Sequence, residues 1–472
     1  MGRRSLMVFM ALLALGGCTS MSSPTPVAPR DTRPNIVFVL TDDLTESLLA
    51  YMPQVRAMRR AGTSFTNYTV TDSLCCPSRA SMLTGKFPHN TGVFTNSGPD
   101  GGLGAFNRHG NHRSTFATDL QSAGYRTALM GKYLNRYHPR AGQAVPPGWS
   151  EWAVAGSAYS QYDYDLAEND RIVHYGHRPA DYLTDVISRK AQSFITRSAA
   201  SGSPFLLEVA TYAPHSPYTP APRDARRFPG LKAPRNRAFD VLPTGAPAWL
   251  AARTPLTAAN QARLDAVHRL RAQSVLSVDR MIGALRVSLA RAGVAGNTLL
   301  VFASDNGYHL GEHRLRPGKQ TAFDHDVRVP LVVSGPGVRA GARVTRPTEN
   351  IDLRPTFGDF AGARVPDDVD GRSLRPLLAG TVPRDWKTAA LIEHHGPDAD
   401  RADPDYAPAS SGNPRTYVAI RTADYTYIEY NDGFREFYDR RIDPYQLRNT
   451  ASRLRPATAA ALHARLKALT LS

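Results

Sequence analysis

The chain has 472 residues, of which 42% are hydrophobic and 21% charged, an ordinary globular balance that excludes a disordered, fibrous or multi-span membrane chain. Its formal net charge of +16 is dispersed, with no long Lys/Arg run and no zinc-finger spacing, which excludes the common nucleic-acid modules and leaves a mild preference for polyanionic partners. Three cysteines, two of them adjacent, exclude a disulfide-built scaffold.

In chain order, the first element is a leader over residues 1–18. Arg3 and Arg4 form its basic end, and Leu6 to Leu15 is an apolar run too short to cross a bilayer alone. It closes on Leu15-Gly16-Gly17-Cys18, which resembles a bacterial lipobox. The expectation is an exported protein anchored to the membrane by lipid on Cys18, facing outward or into the periplasm; the alternative is a secreted protein. Residues 19–33, rich in Ser, Thr and Pro, read as a flexible tether.

Pro34 to Leu40 is apolar and β-branched and ends in Thr41-Asp42-Asp43, the pattern of a buried parallel strand delivering carboxylates at its C-terminal end. Similar runs recur at Arg126–Met130, Phe205–Thr211, Thr298–Ala303 and Val329–Val333. Helical stretches lie between them, notably Asp181–Thr196 and Thr257–Arg291, where Val275, Val278, Ile282, Leu285 and Leu289 are spaced for one face. The alternation predicts an α/β fold: a large mixed, mostly parallel sheet with helices on both faces. Ligands in such sheets sit at the strand C-termini, so Asp42 and Asp43 can meet Ser304-Asp305-Asn306-Gly307 there. Pro214–Pro255 and Gly396–Pro414 read as surface loops. Residues 34–385 form the main domain. Residues 386–472 form a small α+β subdomain, with a hairpin of Tyr417–Arg421 and Tyr425–Tyr430 and a closing helix over Thr458–Leu471.

The chemistry concentrates in Cys75-Cys76-Pro77-Ser78-Arg79, which continues to Leu83-Thr84-Gly85. Adjacent cysteines cannot easily bridge each other. Asp42, Asp43, Asp305 and Asn306 make an all-oxygen set suited to a hard divalent cation, Ca²⁺ or Mg²⁺, although aspartates after a strand also serve as helix caps and solvated turns. Lys132, Lys319 and His215, each taken singly, read as surface or loop residues.

The run C-x-P-S-R-x-x-x-L-T-G resembles the signature of the formylglycine-dependent type I sulfatases of the alkaline-phosphatase-like superfamily. The resemblance extends over most of the chain from Pro34, including Asp370-Gly371-Arg372-Ser373-Leu374. It implies that a formylglycine-generating enzyme oxidises Cys75. The aldehyde hydrate then attacks the sulfur of a sulfate monoester. Asp42, Asp43, Asp305, Asn306 and the modified Cys75 would hold Ca²⁺. It further implies that Arg79 steadies the site, that Lys132 and Lys319 bind sulfate, and that His215 protonates the leaving oxygen. Lys319 is in register counted back from Pro330 and one residue late counted from Asn306, which leaves His313 as the other choice.

Gly131-Lys132-Tyr133-Leu134-Asn135 is similar to the N-acetylglucosamine-6-sulfatases, so the implied substrate is a sulfated sugar, with aryl sulfates as the alternative. Leu134 departs from the histidine many arylsulfatases place there, so another base must serve, with His89, His138 or a water as choices. His309, His394 and His395 are further candidates for lining the site, and His89 for buttressing the signature helix. Two rival readings share these residues: a phosphonate or phosphate ester hydrolase of the same superfamily, and a lipoprotein that binds sulfated glycans without cleaving them.

Overall fold

The computed structural model describes residues 31–471, with residues 1, 2 and 7. The apolar leader, Cys18 and most of the tether lie outside the described residues. At the start of the continuous chain, Arg33 pairs with Asp31 and donates to the carbonyl of Ala123 at 2.7 Å.

Sixteen strands follow in order: β1 (Asn35–Thr41), β2 (Thr63–Phe65), β3 (Tyr68–Thr69), β4 (Arg126–Lys132), β5 (Glu151–Ala155), β6 (Tyr164–Glu168), β7 (Arg171–Tyr175), β8 (Phe205–Ala210), β9 (Thr298–Ser304), β10 (Leu331–Ser334), β11 (Ala342–Val344), β12 (Thr348–Glu349), β13 (Ala390–His394), β14 (Tyr417–Arg421), β15 (Tyr425–Tyr430) and β16 (Arg435–Asp439). Ten form the main sheet in the order β11-β2-β10-β9-β1-β8-β4-β5-β6-β7. Its centre, β9-β1-β8-β4-β5, is parallel, and antiparallel pairs flank it on both sides. This is the mixed, mostly parallel sheet expected.

All seven residues of β1 are buried. Ile36, Phe38 and Leu40 join one core, while Val37 and Val39 join the core on the opposite face, the period of two that a strand covered on both sides requires. Helices Leu183–Ser201 and Ala258–Arg291 cover the second face; Cys75–Thr84 and Leu353–Ala361 cover the first. The long helix starts where its spacing predicts, with the Thr257 hydroxyl accepting from the Asn260 N–H at 3.2 Å. Strands β5 to β7, which extend the sheet to one edge, are absent from the expectation.

The second sheet, β13-β14-β15-β16, is antiparallel, and helix Pro456–Leu469 packs on it. Asp324 joins the two sheets. Its carboxylate takes a two-pronged contact from Arg421 of β14, both at 2.9 Å, and one from Arg440 at 2.8 Å.

Candidate active site

The parallel register builds the site. Thr41 of β1 lies opposite Ser304 of β9, so Asp42–Asp43 and Asp305–Asn306 leave the sheet side by side. Lys132 ends β4, and His215 follows β8 on a turn closed by its own N–H to Tyr212 O at 2.8 Å. Cys75 is the first residue of helix Cys75–Thr84, whose positive end therefore faces the strand ends. Its closing Gly85 takes a left-handed φ of 69°, and a Cβ there would meet Val369 at 2.7 Å, so the signature's last position requires glycine.

The candidates converge. Cys75 Sγ lies 3.2 Å from Asp42 Oδ1 and 2.9 Å from Lys319 Nζ. Lys319 also reaches Asp43 Oδ1 at 2.7 Å, and Lys132 Nζ reaches Asp42 Oδ2 at 2.5 Å. Arg79 Nε binds Asp305 Oδ2 at 2.7 Å, and its Nη1 caps the carbonyls of Lys132 and Tyr133. Asn306 Nδ2 donates to Asp43 Oδ1 at 2.7 Å. His215 Nε2 stands 3.8 Å from Asp43 Oδ2. All of these side chains are buried.

The charges shift one another. Burial pushes the Cys75 thiol well up, and the carboxylates of Asp305, Asp405 and Asp42 push it further, so it stays protonated. Burial raises Asp42 as well, but Lys132, His215 and Arg79 prevail and hold its carboxyl below the usual range. Asp305 is pushed up to about 6, by burial and then by the charge of Asp42. Burial opposes protonation of His215, yet Asp405, Asp43 and Asp42 bring it up to about 9.

The other histidines lie elsewhere. His313 stacks on Phe323 and bonds Tyr445 O, so Lys319, not His313, meets the cysteine. His89 binds Glu393 at 2.8 Å, beneath the small sheet. His309 pairs with Asp326, His394 with Asp72 and His395 with Asp100, while His138 is exposed. Leu134 is buried in the main core.

Sequence reasoning missed Asp405. Gly396–Pro414 reads as a surface loop, yet it folds over the site, with Asp403 and Asp405 buried. Asp405 Oδ1 lies 2.5 Å from His215 Nε2 and 2.7 Å from Lys319 Nζ, and Oδ2 accepts from Asn96 at 2.7 Å. Asn96 in turn accepts the N–H of Cys76 at 3.0 Å. An aspartate in a Pro-rich loop carries no spacing that points to a lysine so far away in sequence.

The donors fit a cation. Ligand atoms of Asp42, Asp43, Cys75 and His215 all lie within 4.8 Å of one another. His215 Nε2 is engaged by Asp405, whereas Asn306 Oδ1 is buried with no partner. Both oxygens of Asp305 are taken, Oδ2 by Arg79 and Oδ1 by the N–H groups of Asp43 and Asn306. A carboxylate-rich set with an orphaned amide oxygen suits a hard divalent ion.

Residues 34–363 match the sulfatase family model, and residues 311–471 match the C-terminal model of N-sulphoglucosamine sulphohydrolase. The chain is 35% identical to human N-acetylglucosamine-6-sulfatase, over 97% of this chain and 88% of the human one. It is 29% identical to the N-acetylglucosamine-6-O-sulfatase of Bacteroides thetaiotaomicron, over 94% and 86% of the two chains. Among solved structures, BT4656 in complex with its substrate D-glucosamine-2-N,6-O-disulfate is similar with a TM-score of 0.77 and 26% identity, covering 93% of this chain and 97% of that one. A phosphonate monoester hydrolase from Silicibacter pomeroyi shares the fold, with a TM-score of 0.70 and 24% identity over 93% and 94% of the chains.

Proposed function

This chain belongs to the sulfatase family and is a sulfuric ester hydrolase, and from that premise we propose that it removes the 6-sulfate of an N-acetylglucosamine-type sugar. The near full-length similarity to the human and Bacteroides N-acetylglucosamine-6-sulfatases supports the substrate. The observation that carries the chemistry is the contact of Cys75 with Asp42 on one side and Lys319 on the other, at the C-terminal edge of the sheet.

Asp42, Asp43, Asp305, Asn306 and Cys75 would hold Ca²⁺, with Asp305 fixed in place by Arg79. When present, the cation offsets the charge of the sulfate, and formylglycine at Cys75 supplies the attacking oxygen. The remaining work falls to the chain's own side chains. Lys132 and Lys319 present buried ammonium groups to the sulfate oxygens, in a site where water does not weaken them. Arg79 fixes Asp305 and so holds the carboxylate cluster in place.

Both ring nitrogens of His215 face acceptors, so each is a donor in the protonated ring. Nδ1 faces the carbonyl of Ser216 at 2.7 Å, which only accepts, and Nε2 faces Asp405. It is therefore the acid for the departing sugar oxygen. Asp405 orients both His215 and Lys319, and with leucine at 134 it is, beside Asp43, a carboxylate in contact with Lys319 that could take the proton there.

Formylglycine in place of Cys75 requires a generating enzyme in the same cell. The basic-apolar leader and Cys18 support export with a lipid anchor at the membrane. Mass spectrometry of the peptide spanning residue 75, on protein from its own host, tests the nucleophile. The aldehyde is expected there, and Cys75→Ala should remove turnover without unfolding the chain. A thiol at 75 in fully active protein overturns the assignment. Hydrolysis of N-acetylglucosamine 6-sulfate should exceed that of the 6-phosphate; the reverse order overturns the substrate.

A further inference from the structure

A cavity of about 340 Å³ runs outward from Asp43, His215 and Lys319, within the range of small-molecule sites. Its inner and outer charges differ in kind. The two acids on its wall, Asp43 and Asp405, are both neutralised by Lys319 and His215. Two arginines also line it, Arg263 and Arg316, and both are exposed. Among the described residues, neither guanidinium has an ion-pair or hydrogen-bond partner.

Both are held where they are by their backbones. Arg263 sits near the start of helix Ala258–Arg291, beside Asn260, which also lines the cavity. Arg316 lies three residues before Lys319. Its N–H donates to Ser410 O at 2.8 Å, and the neighbouring His309–Gly318 bridge pins the same loop. The inner cations are committed to carboxylates and to the ester that is cleaved, so the surplus positive charge lies at the mouth. A guanidinium offers paired donors that match a sulfate or carboxylate.

We propose that Arg263 and Arg316 form a subsite for a second anionic group on the substrate, a sulfate or carboxylate carried by the sugar besides the ester that is removed. The proposal rests on the sugar-sulfate reading and narrows it from a monosulfated sugar to a polyanionic one. General steering by a basic protein is the competing account, and it acts on every anionic substrate alike.

The experiment compares kcat/KM for N-acetylglucosamine 6-sulfate and for D-glucosamine-2-N,6-O-disulfate, in the wild-type enzyme and in R263Q/R316Q. A nitrophenyl sulfate serves as a third substrate that reports the chemistry alone. The wild type should prefer the disulfated sugar, and the double variant should reduce that preference about ten-fold or more, mainly through KM. Two results overturn the subsite: no preference in the wild type, or equal losses on both sugars. Turnover of the nitrophenyl ester with neither sugar cleaved is a third result, and it overturns the sugar reading itself and the subsite with it.

Discussion

Cys75 Sγ is in contact with Asp42 and Lys319, whereas Cys76 packs into the apolar core and its backbone N–H donates to Asn96. Two identical neighbours thus have different chemistry because a helix turns successive residues by about a quarter circle or more. The protonated thiol at 75 is a poor nucleophile, which is consistent with a position that must be modified before it acts. His215 provides a sharper test at the same scale. Its Nε2–H is the proton that a sugar alkoxide needs and a nitrophenolate does not. His215→Gln is expected to lower kcat/KM about 10²- to 10⁴-fold on the sugar sulfate and far less on a nitrophenyl sulfate. Steady-state kinetics on the two substrates read the difference; equal losses would assign His215 a role other than the acid.

Elements hold these residues in register from a distance. Arg354, fully buried, binds Asp119 through Nε at 2.7 Å and Nη2 at 3.0 Å and caps Thr84 O at 2.7 Å, so it fastens the far end of the signature helix. Asp324 does the same between sheets, through Arg421 and Arg440. Burial works against its charge, but those arginines hold its carboxyl well below the usual range. Its contribution is therefore complete above the ordinary carboxylate range near pH 4 and is lost only as pH falls through the lowered value. Asp324→Asn leaves buried Arg421 without its counter-charge and is expected to cost about 3–5 kcal/mol at neutral pH. Denaturant melts of both proteins should show this gap undiminished at pH 5 and narrowed in strong acid; a gap already closing at pH 5 contradicts the ion-pair account. The central strands were legible because burial on both faces writes continuous apolar runs such as Ile36–Leu40. Edge strand β7, Arg-Ile-Val-His-Tyr, has no fully buried residue and shows no such run. Asp405 was illegible for a different reason: its partners Asn96, Asn135, His215 and Lys319 come from four separate segments, and only the folded chain brings them together.

Across the whole molecule, one edge of one sheet gathers Asp42, Asp43 and Asp305 with Arg79, Lys132, Lys319 and His215, and no disulfide joins the two described cysteines. Each aspartate already has a cationic partner within the protein. The fold can therefore form before any metal is bound, unlike a small metal-dependent domain. Asp42 and Asp43 would hold the cation, and with their charge so offset Lys132 and Lys319, which now pair with them, would be left to the sulfate. Metal removal should accordingly separate activity from folding. Dialysis against a chelator is expected to lower turnover at least about 100-fold while the protein stays folded, and Ca²⁺ should restore it. Stability should rise with free Ca²⁺ by about 2.7 kcal/mol at a hundred times the dissociation constant, seen as an upward shift of the melting temperature. Loss of activity with no effect of Ca²⁺ on melting would move the ion away from Asp42 and Asp43. Full activity in the stripped enzyme would remove it from the reaction and leave Lys132, Lys319 and His215 to act on the ester without it.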